Sequence, residues 1–237
     1  MAETTKKKLG IIGGLGPAAS AFFYNRITQH TMASCDQEHI DIILLSHATT
    51  PDRTQCILQG EDGKIIRSLR EDVETLVKLG VSNIAIPCNT THYYLEQVQE
   101  GFDVPIIHMV RESVDYAVKH RDHVRKVGIM ATDGTIRTGI YDKECHARGV
   151  MAVHPSDAMQ KLAMSLIYDD IKAGKKPDRD KFEKITEELC RKGCDVVILA
   201  CTELSVYKEY HAVPDYCLDA MDVLVRESIL RSGASYV

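Results

Sequence analysis

The chain reads as an α/β protein: two pseudo-symmetric α/β domains with mostly parallel sheets and an active site in the inter-domain cleft. Three observations carry this expectation. Apolar runs of four to seven residues alternate with longer helical patterns along the whole chain, and such alternation covers both faces of a parallel sheet with helices. A helix–Gly–strand–Cys unit occurs twice, ending in Ile86-Pro87-Cys88-Asn89-Thr90 and in Leu199-Ala200-Cys201-Thr202-Glu203. Subtracting 113 (201 − 88) places Leu189 on Leu76, Arg191 on Lys78, Gly193 on Gly80, Val197 on Ile84 and Leu199 on Ile86. Finally, 237 residues are enough to bury the cores of one or two domains.

The elements follow in order. Strands are expected over 8–13, 40–45, 83–87, 105–107, 126–130, 150–154, 195–199 and 216–218. Helices are expected between them, over 17–32, 63–79, 91–100, 109–119, 135–147, 156–172, 179–192, 203–210 and 220–231. Pro17 suits the first position of its helix, where no backbone N–H is needed. In 63–79, Ile65, Ile66, Leu69, Val73, Leu76 and Val77 keep a 3.6-residue stripe. Further pairs extend the duplication: Leu9-Gly10-Ile11-Ile12-Gly13 with Val127-Gly128-Ile129-Met130-Ala131, Val104-Pro105 with Val213-Pro214, and Val110-Arg111-Glu112-Ser113 with Val225-Arg226-Glu227-Ser228. The expected division is therefore 1–112 plus 211–237 for the first domain and 113–210 for the second. A ligand belongs at the carboxyl ends of the strands, between the two.

Composition excludes several roles. A net charge of −5 leaves no basic field for nucleic acid, and Lys6-Lys7-Lys8 reads as a solvated tail. No apolar stretch approaches the ~18 residues of a membrane span. The run after the lysines is too short and glycine-rich for a secretory segment. Eight cysteines in a chain of this size and pattern read as reduced thiols of a cytoplasmic protein. Cys190-x3-Cys194 lacks the partner ligands of a zinc site, so no metal is expected.

The chemistry concentrates at strand ends. Gly13-Gly14-Leu15-Gly16-Pro17-Ala18-Ala19 nearly matches a dinucleotide fingerprint, but the second strand ends Leu44-Leu45-Ser46-His47 without the acidic residue that motif requires. The turn suits a carboxylate held by backbone N–H groups at a helix start. Cys88 and Cys201 each sit just before an expected helix, where the dipole should lower a thiol's pKa from about 8.5. Buried, inert cysteines are the plain alternative, yet Asn89, Thr90, Thr91 and Thr202 are polar neighbours that a core would not choose. One thiolate could remove a proton from a carbon while the opposite thiol delivers one. Charge would then build on an adjacent carboxylate, stabilised by donors already aimed at it. No lysine stands out as a Schiff-base former, so no cofactor is expected.

Pro-Cys-Asn-Thr at 87–90, Ala-Cys-Thr-Glu-Leu at 200–204 and Gly-Gly-Leu-Gly-Pro at 13–17 resemble the aspartate/glutamate racemase family over essentially the whole chain. The resemblance implies a cofactor-independent racemase, often a homodimer, acting on a small acidic amino acid. It implies Cys88 and Cys201 as the catalytic pair, with Asn89, Thr90 and Thr202 at the α-carboxylate; Leu15 and Thr91 are further expected substrate-binding residues. Thr50-Pro51-Asp52-Arg53-Thr54 is similar to the aspartate branch, whose arginine holds the distal carboxylate, and Asp157-Ala158-Met159-Gln160-Lys161 to the stretch supplying a matching lysine. Arg53 suits that role because a planar guanidinium can donate two parallel hydrogen bonds. Asp52 could brace it or meet a substrate ammonium. Lys172 is the weaker lysine candidate, and His92 and Glu203 would support the two cysteines from behind. Other cysteine-pair enzymes (hydantoin racemase, maleate isomerase, arylmalonate decarboxylase) and a non-catalytic dicarboxylate binder remain alternative readings of the same residues.

Overall fold

In the computed structural model, which describes residues 6–237, the duplicated sequence becomes two parallel sheets. The first half comprises β1 (Leu9–Gly13), α1 (Pro17–His30), β2 (Ile42–Ser46), α2 (Arg53–Gln59), α3 (Asp62–Lys78), β3 (Asn83–Ala85), α4 (Leu95–Gln99) and α5 (Met109–His120). The second comprises β4 (Lys126–Ala131), α6 (Asp133–Thr138), α7 (Ile140–His146), β5 (Met151–Val153), α8 (Asp157–Ser165), α9 (Arg179–Arg191), β6 (Val196–Ala200), α10 (Thr202–Val206), β7 (Cys217–Asp219) and α11 (Ala220–Arg231). Strand orders are β2-β1-β3 and β5-β4-β6-β7, and every strand pairing is parallel. The orders superimpose, with β1 matching β4 and β3 matching β6.

Packing repeats along with pairing. A Cβ on Gly10 of β1 would lie 3.0 Å from Leu76 of α3, and one on Gly128 of β4 would lie 3.2 Å from Leu189 of α9. In each half the duplicated helix therefore sits directly on the glycine of the duplicated strand. β1 and β6 are buried along their whole length, as strands covered on both faces must be. One apolar cluster joins the sheets, running from Leu9 and Ile11 through Val127 and Ile129 to Val196 and Ile198, with α5 and α11 packed on it. Separate clusters lie under α3 and under α9.

Several boundaries differ from expectation. The segment 211–237 does not return wholly to the first domain: β7 pairs with β6 in the second sheet. The rest packs on the first half: α11 lies against α1 and α5, Arg26 Nη2 lies 3.5 Å from Asp222 Oδ1, Asn83 Nδ2 donates to Ser232 Oγ at 3.4 Å, and at the far end Tyr236 bridges Thr31 and Val237 N donates to His30 O at 2.9 Å. The expected strand at 105–107 is a single bridge between Ile84 and Ile106. The expected helix 135–147 breaks at Gly139, whose φ of +61° is left-handed. The helix over 156–172 ends in a π-helical turn, Leu166–Ile171. α2 is an element the sequence pattern did not predict. Asp52 starts it by accepting from Gln55 N at 2.9 Å, the side-chain capping that such a short helix depends on. Nor is Lys6-Lys7-Lys8 a free tail, since Lys7 N donates to Ser232 O at 2.9 Å and Lys8 Nζ to Leu79 O at 3.2 Å. No helix among the described residues is long and apolar enough to cross a membrane.

Candidate active site

Both duplicated strands deliver their cysteines to one place. Cys88 leads from β3 into the 3-10 turn Thr90–Tyr94, and Cys201 is the residue immediately before α10. They line one cavity with Leu15, Asp52, Arg53, Asn89, Thr90, Thr202 and Glu203, and with Thr54, Thr132, Tyr168 and Lys172, for which the motifs gave little or no signal. The room left is ≈ 20 Å³, about one water. The halves meet over it where Tyr168 Oη donates to Asp52 Oδ2 at 3.4 Å, and within the second half the Lys172 ammonium lies 3.5 Å from Glu203 Oε1. Beside it opens a chamber of ≈ 420 Å³ that shares Asp52, Arg53, Lys172 and Glu203 with the cavity.

Arg53 is the first residue of α2 and only 7% exposed. Its terminal nitrogens do not form a free fork, because Nη2 donates to Leu15 O and Nη1 to Pro51 O at 3.1 Å. The remaining nitrogen, Nε, is buried without a partner among the described residues. Burial alone would lower the guanidinium's pKa, but the adjacent Cys88 sulfur and Asp52 carboxylate outweigh it and raise it. Asn89 offers a second unpartnered donor. Its Oδ1 accepts from Tyr141 Oη at 2.6 Å, which fixes the amide orientation, and its buried Nδ2 has no partner among the described residues. A buried donor without an acceptor costs about 1–3 kcal/mol. Two of them on the wall of one cavity mark a place built to receive an anion.

The two thiols have opposite neighbours. Cys88 adjoins the Arg53 guanidinium, whereas Cys201 Sγ donates to Glu203 Oε2 at 2.9 Å. Burial, and then the Glu203 carboxylate, push the Cys201 thiol well above its ordinary range, with the Lys172 ammonium opposing. The lowering expected from the helix dipole is thus overturned at Cys201. α10 has five residues, too few for a strong dipole, and desolvation dominates. Burial would lower the Lys172 pKa, but Glu203 first, then Cys201, Tyr168 and Cys88, raise it. Lys172 is therefore a fixed positive charge reaching both sulfurs.

His92 is fully enclosed behind Cys88. Nδ1 lies 2.9 Å from Cys88 O, and Met109 N donates to Nε2 at 3.0 Å. These partners assign the proton to Nδ1, and burial keeps the ring neutral by lowering its pKa. Its Nδ1–H holds the Cys88 carbonyl. Glu203 is closer to the chemistry than expected, since it lines the cavity and holds the Cys201 proton.

Two expected residues are not brought together with the rest. Lys161 is an exposed residue of α8 that borders a separate groove with Asp157 and Asp169. Tyr168 stands between that groove and the cavity, and after the π-helical turn Lys172 faces the cysteines instead. Thr91 is buried with its hydroxyl unpartnered and does not line the cavity. Successive residues of a 3-10 turn point about 120° apart, so with Thr90 facing inward Thr91 faces away. The missed residues carry modest signals: Tyr168 lies one turn before Lys172, and Thr132 directly follows β4.

Comparison with known proteins agrees with this fold. A family model described as Asp/Glu/Hydantoin racemase matches residues 12–228. The chain is 26% identical over 231 residues to the broad specificity amino-acid racemase RacX of Bacillus subtilis, covering 93% of this chain and 96% of that one. It is 29% identical over 146 residues to a glutamate racemase of Persephonella marina, covering 61% and 55% of the two chains. Among solved structures, the Picrophilus torridus aspartate racemase has the same fold, with a TM-score of 0.84 at 24% identity over 98% of this chain and 96% of that one. A Pyrococcus horikoshii aspartate racemase homologue has a TM-score of 0.76 at 23% identity, covering 96% and 99%. The motifs, the duplicated α/β architecture and the family match converge: the chain belongs to the Asp/Glu/hydantoin racemase family, a family of isomerases.

Proposed function

We propose that this chain is a cofactor-independent racemase interconverting L- and D-aspartate, with glutamate as a second substrate. The observation that carries this is one cavity lined by Cys88 and Cys201 from the two halves, with Arg53 Nε and Asn89 Nδ2 left as unpartnered donors. Cys88, beside a guanidinium, acts as the base, and its thiolate takes the α-proton. The electron pair of the broken C–H bond delocalises into the α-carboxylate as an enediolate. Asn89, Thr90 and Thr202 hold that carboxylate, and each well-placed donor is worth about 3 kcal/mol to the transition state. Cys201, whose proton is held on Glu203, then protonates the opposite face. Cys88 ends as a thiol and Cys201 as a thiolate, which is the starting state for the mirror-image substrate. Arg53 and Lys172 receive the distal carboxylate, and Lys172 replaces Lys161 in that role. The substrate enters when the Tyr168–Asp52 and Lys172–Glu203 contacts part.

The test is loss of optical rotation by each enantiomer of aspartate, with α-deuterium incorporation followed in deuterated water. Cys88→Ser and Cys201→Ser are each expected to abolish racemisation, about 10³-fold or more. One-sided deuterium exchange is expected to survive in one of them. Full racemisation by either variant refutes the two-base mechanism. Aspartate-induced thermal stabilisation without turnover by the unaltered protein refutes the enzymatic reading and leaves a binding protein.

A further inference from the structure

We infer that Tyr141 is a positioning residue for the proton transfers: from outside the cavity, its hydroxyl holds the Asn89 amide with the nitrogen end toward the substrate α-carboxylate. The inference rests on the racemase reading above and extends it to a residue that meets no substrate. Tyr141 is the second residue of α7, in the second half, while Asn89 directly follows Cys88 in the first. Their hydrogen bond crosses from one half to the other, so a donor beside one cysteine is set by the half that carries its opposite.

Which end of the amide faces Tyr141 follows from the length of the bond. At 2.6 Å it is ordinary for O–H···O, about 2.5–3.0 Å, and too short for N–H···O, about 2.7–3.2 Å. Burial raises the phenol's pKa, so the hydroxyl keeps its proton and Asn89 Oδ1 accepts the bond. Asn89 lines the two-cysteine cavity and Tyr141 does not. The end left for a ligand is therefore Nδ2, which has no partner among the described residues. The ring cannot swing aside. It lies buried in the apolar cluster that joins the sheets, and Gly139, left-handed at a φ of +61°, starts α7 just before it.

Without the hydroxyl nothing distinguishes the two ends of the amide. The terminal torsion of asparagine is broad and roughly two-fold, so a half-turn would set the Oδ1 lone pairs against the carboxylate. That orientation grows worse as the enediolate forms, because negative charge on the carboxylate increases in the transition state. The loss therefore falls on kcat more than on KM. Tyr141→Phe removes only the hydroxyl and keeps the ring that fills the cluster.

The experiment is a double-mutant cycle on aspartate racemisation, with Tyr141→Phe, Asn89→Ala and the double variant, each checked for cooperative thermal unfolding. Asn89→Ala is expected to lower kcat ~100-fold. Tyr141→Phe in the otherwise unaltered chain is expected to lower kcat at least ~10-fold, with KM within about threefold. In the Asn89→Ala background the same substitution is expected to change kcat by less than about twofold, because the group it positions is gone. The pH profile of kcat/KM should keep its midpoints in Tyr141→Phe, since neither thiol gains or loses a charged neighbour. A Tyr141→Phe loss that persists undiminished in the Asn89→Ala background, a shifted midpoint, or unchanged kcat in the single variant each overturns the inference while the racemase reading stands. A Tyr141→Phe chain that no longer unfolds cooperatively would assign the hydroxyl to folding and overturn it as well. Absence of turnover by the unaltered protein removes both.

Discussion

At the scale of single residues, Cys88 and Cys201 hold matched positions in the duplicated unit but opposite electrostatic surroundings. A guanidinium adjoins the first, and a carboxylate accepts the proton of the second. Glu203→Gln removes the negative charge next to Cys201 and keeps the side-chain length, so Lys172 then acts on that thiol unopposed. Peptide-resolved alkylation as a function of pH should show the Cys201 reactivity midpoint moving down toward the ordinary thiol value of about 8.5, with Cys145 and Cys217 as unshifted controls. An unchanged midpoint would show that burial alone sets the Cys201 proton. Both cysteines, Asn89 and Arg53 were legible because each sits in a short motif at a strand or helix boundary. Lys172 was legible only as the weaker lysine candidate, since its approach to the cavity depends on the π-helical turn before it, and a turn of that kind leaves no mark in apolar periodicity. The protonation of Cys201 was misread for a related reason: burial follows from packing, which local position does not reveal.

At the scale of elements, the N-terminus of α5 couples stability to pH. His108 precedes α5 and caps it, its Nδ1 accepting from Arg111 N at 3.1 Å. Burial first, then His92 and Arg111, push its pKa down to about 4, with Glu144 opposing. In the unfolded chain an imidazole titrates near 6.5. As pH falls below that value the unfolded state binds the proton first, so stability is full above about 6.5 and is lost progressively toward 4. The loss from this one group is about 2 kcal/mol after allowance for its partial exposure. His108→Asn keeps a capping acceptor and removes the titration. Urea unfolding should therefore show a smaller drop in stability between pH 7.5 and 5.0 in the variant, by about 1–2 kcal/mol. An equal drop in both proteins would assign the acid sensitivity elsewhere, with the buried His92 as the first suspect. Helices with long apolar stripes, such as α3, were readable almost to the residue. α2 escaped because seven residues are too few to display a period, and its start depends on the Asp52 cap.

At the scale of the whole molecule, the site exists only while the two halves stay pressed together. The duplication was readable from the sequence, whereas the fit between its copies was not, because that fit depends on contacts between residues far apart in the chain. One of these is at Gly134 in α6, where an added Cβ would lie 2.9 Å from Thr54 Cα in α2. Around it, four threonines from both halves share their hydroxyls: Thr90 with Thr135 at 2.8 Å, Thr132 with Thr90 and with Thr135 at 3.2 Å, and Thr54 with Thr132 at 3.4 Å. Thr54, Thr90 and Thr132 are also walls of the cavity that holds both cysteines. Gly134→Ala places a methyl group against backbone, which cannot yield as a side-chain tip would. α6 must then move off α2, carrying Thr132 away from Thr54 and Arg53 away from the second half. Overpacking of this kind costs about 1–3 kcal/mol, modest beside the apolar cluster that joins the sheets, so the fold should persist. Transition-state stabilisation depends on geometry much more steeply, and a displacement of about 1 Å can lower the rate ~100-fold. Gly134→Ala should therefore retain its circular dichroism spectrum and cooperative unfolding while kcat/KM for aspartate falls at least ~10-fold. Unchanged turnover in a variant destabilised by the expected amount would mean that the cleft tolerates a wider gap, and that the catalytic geometry is set within each half separately.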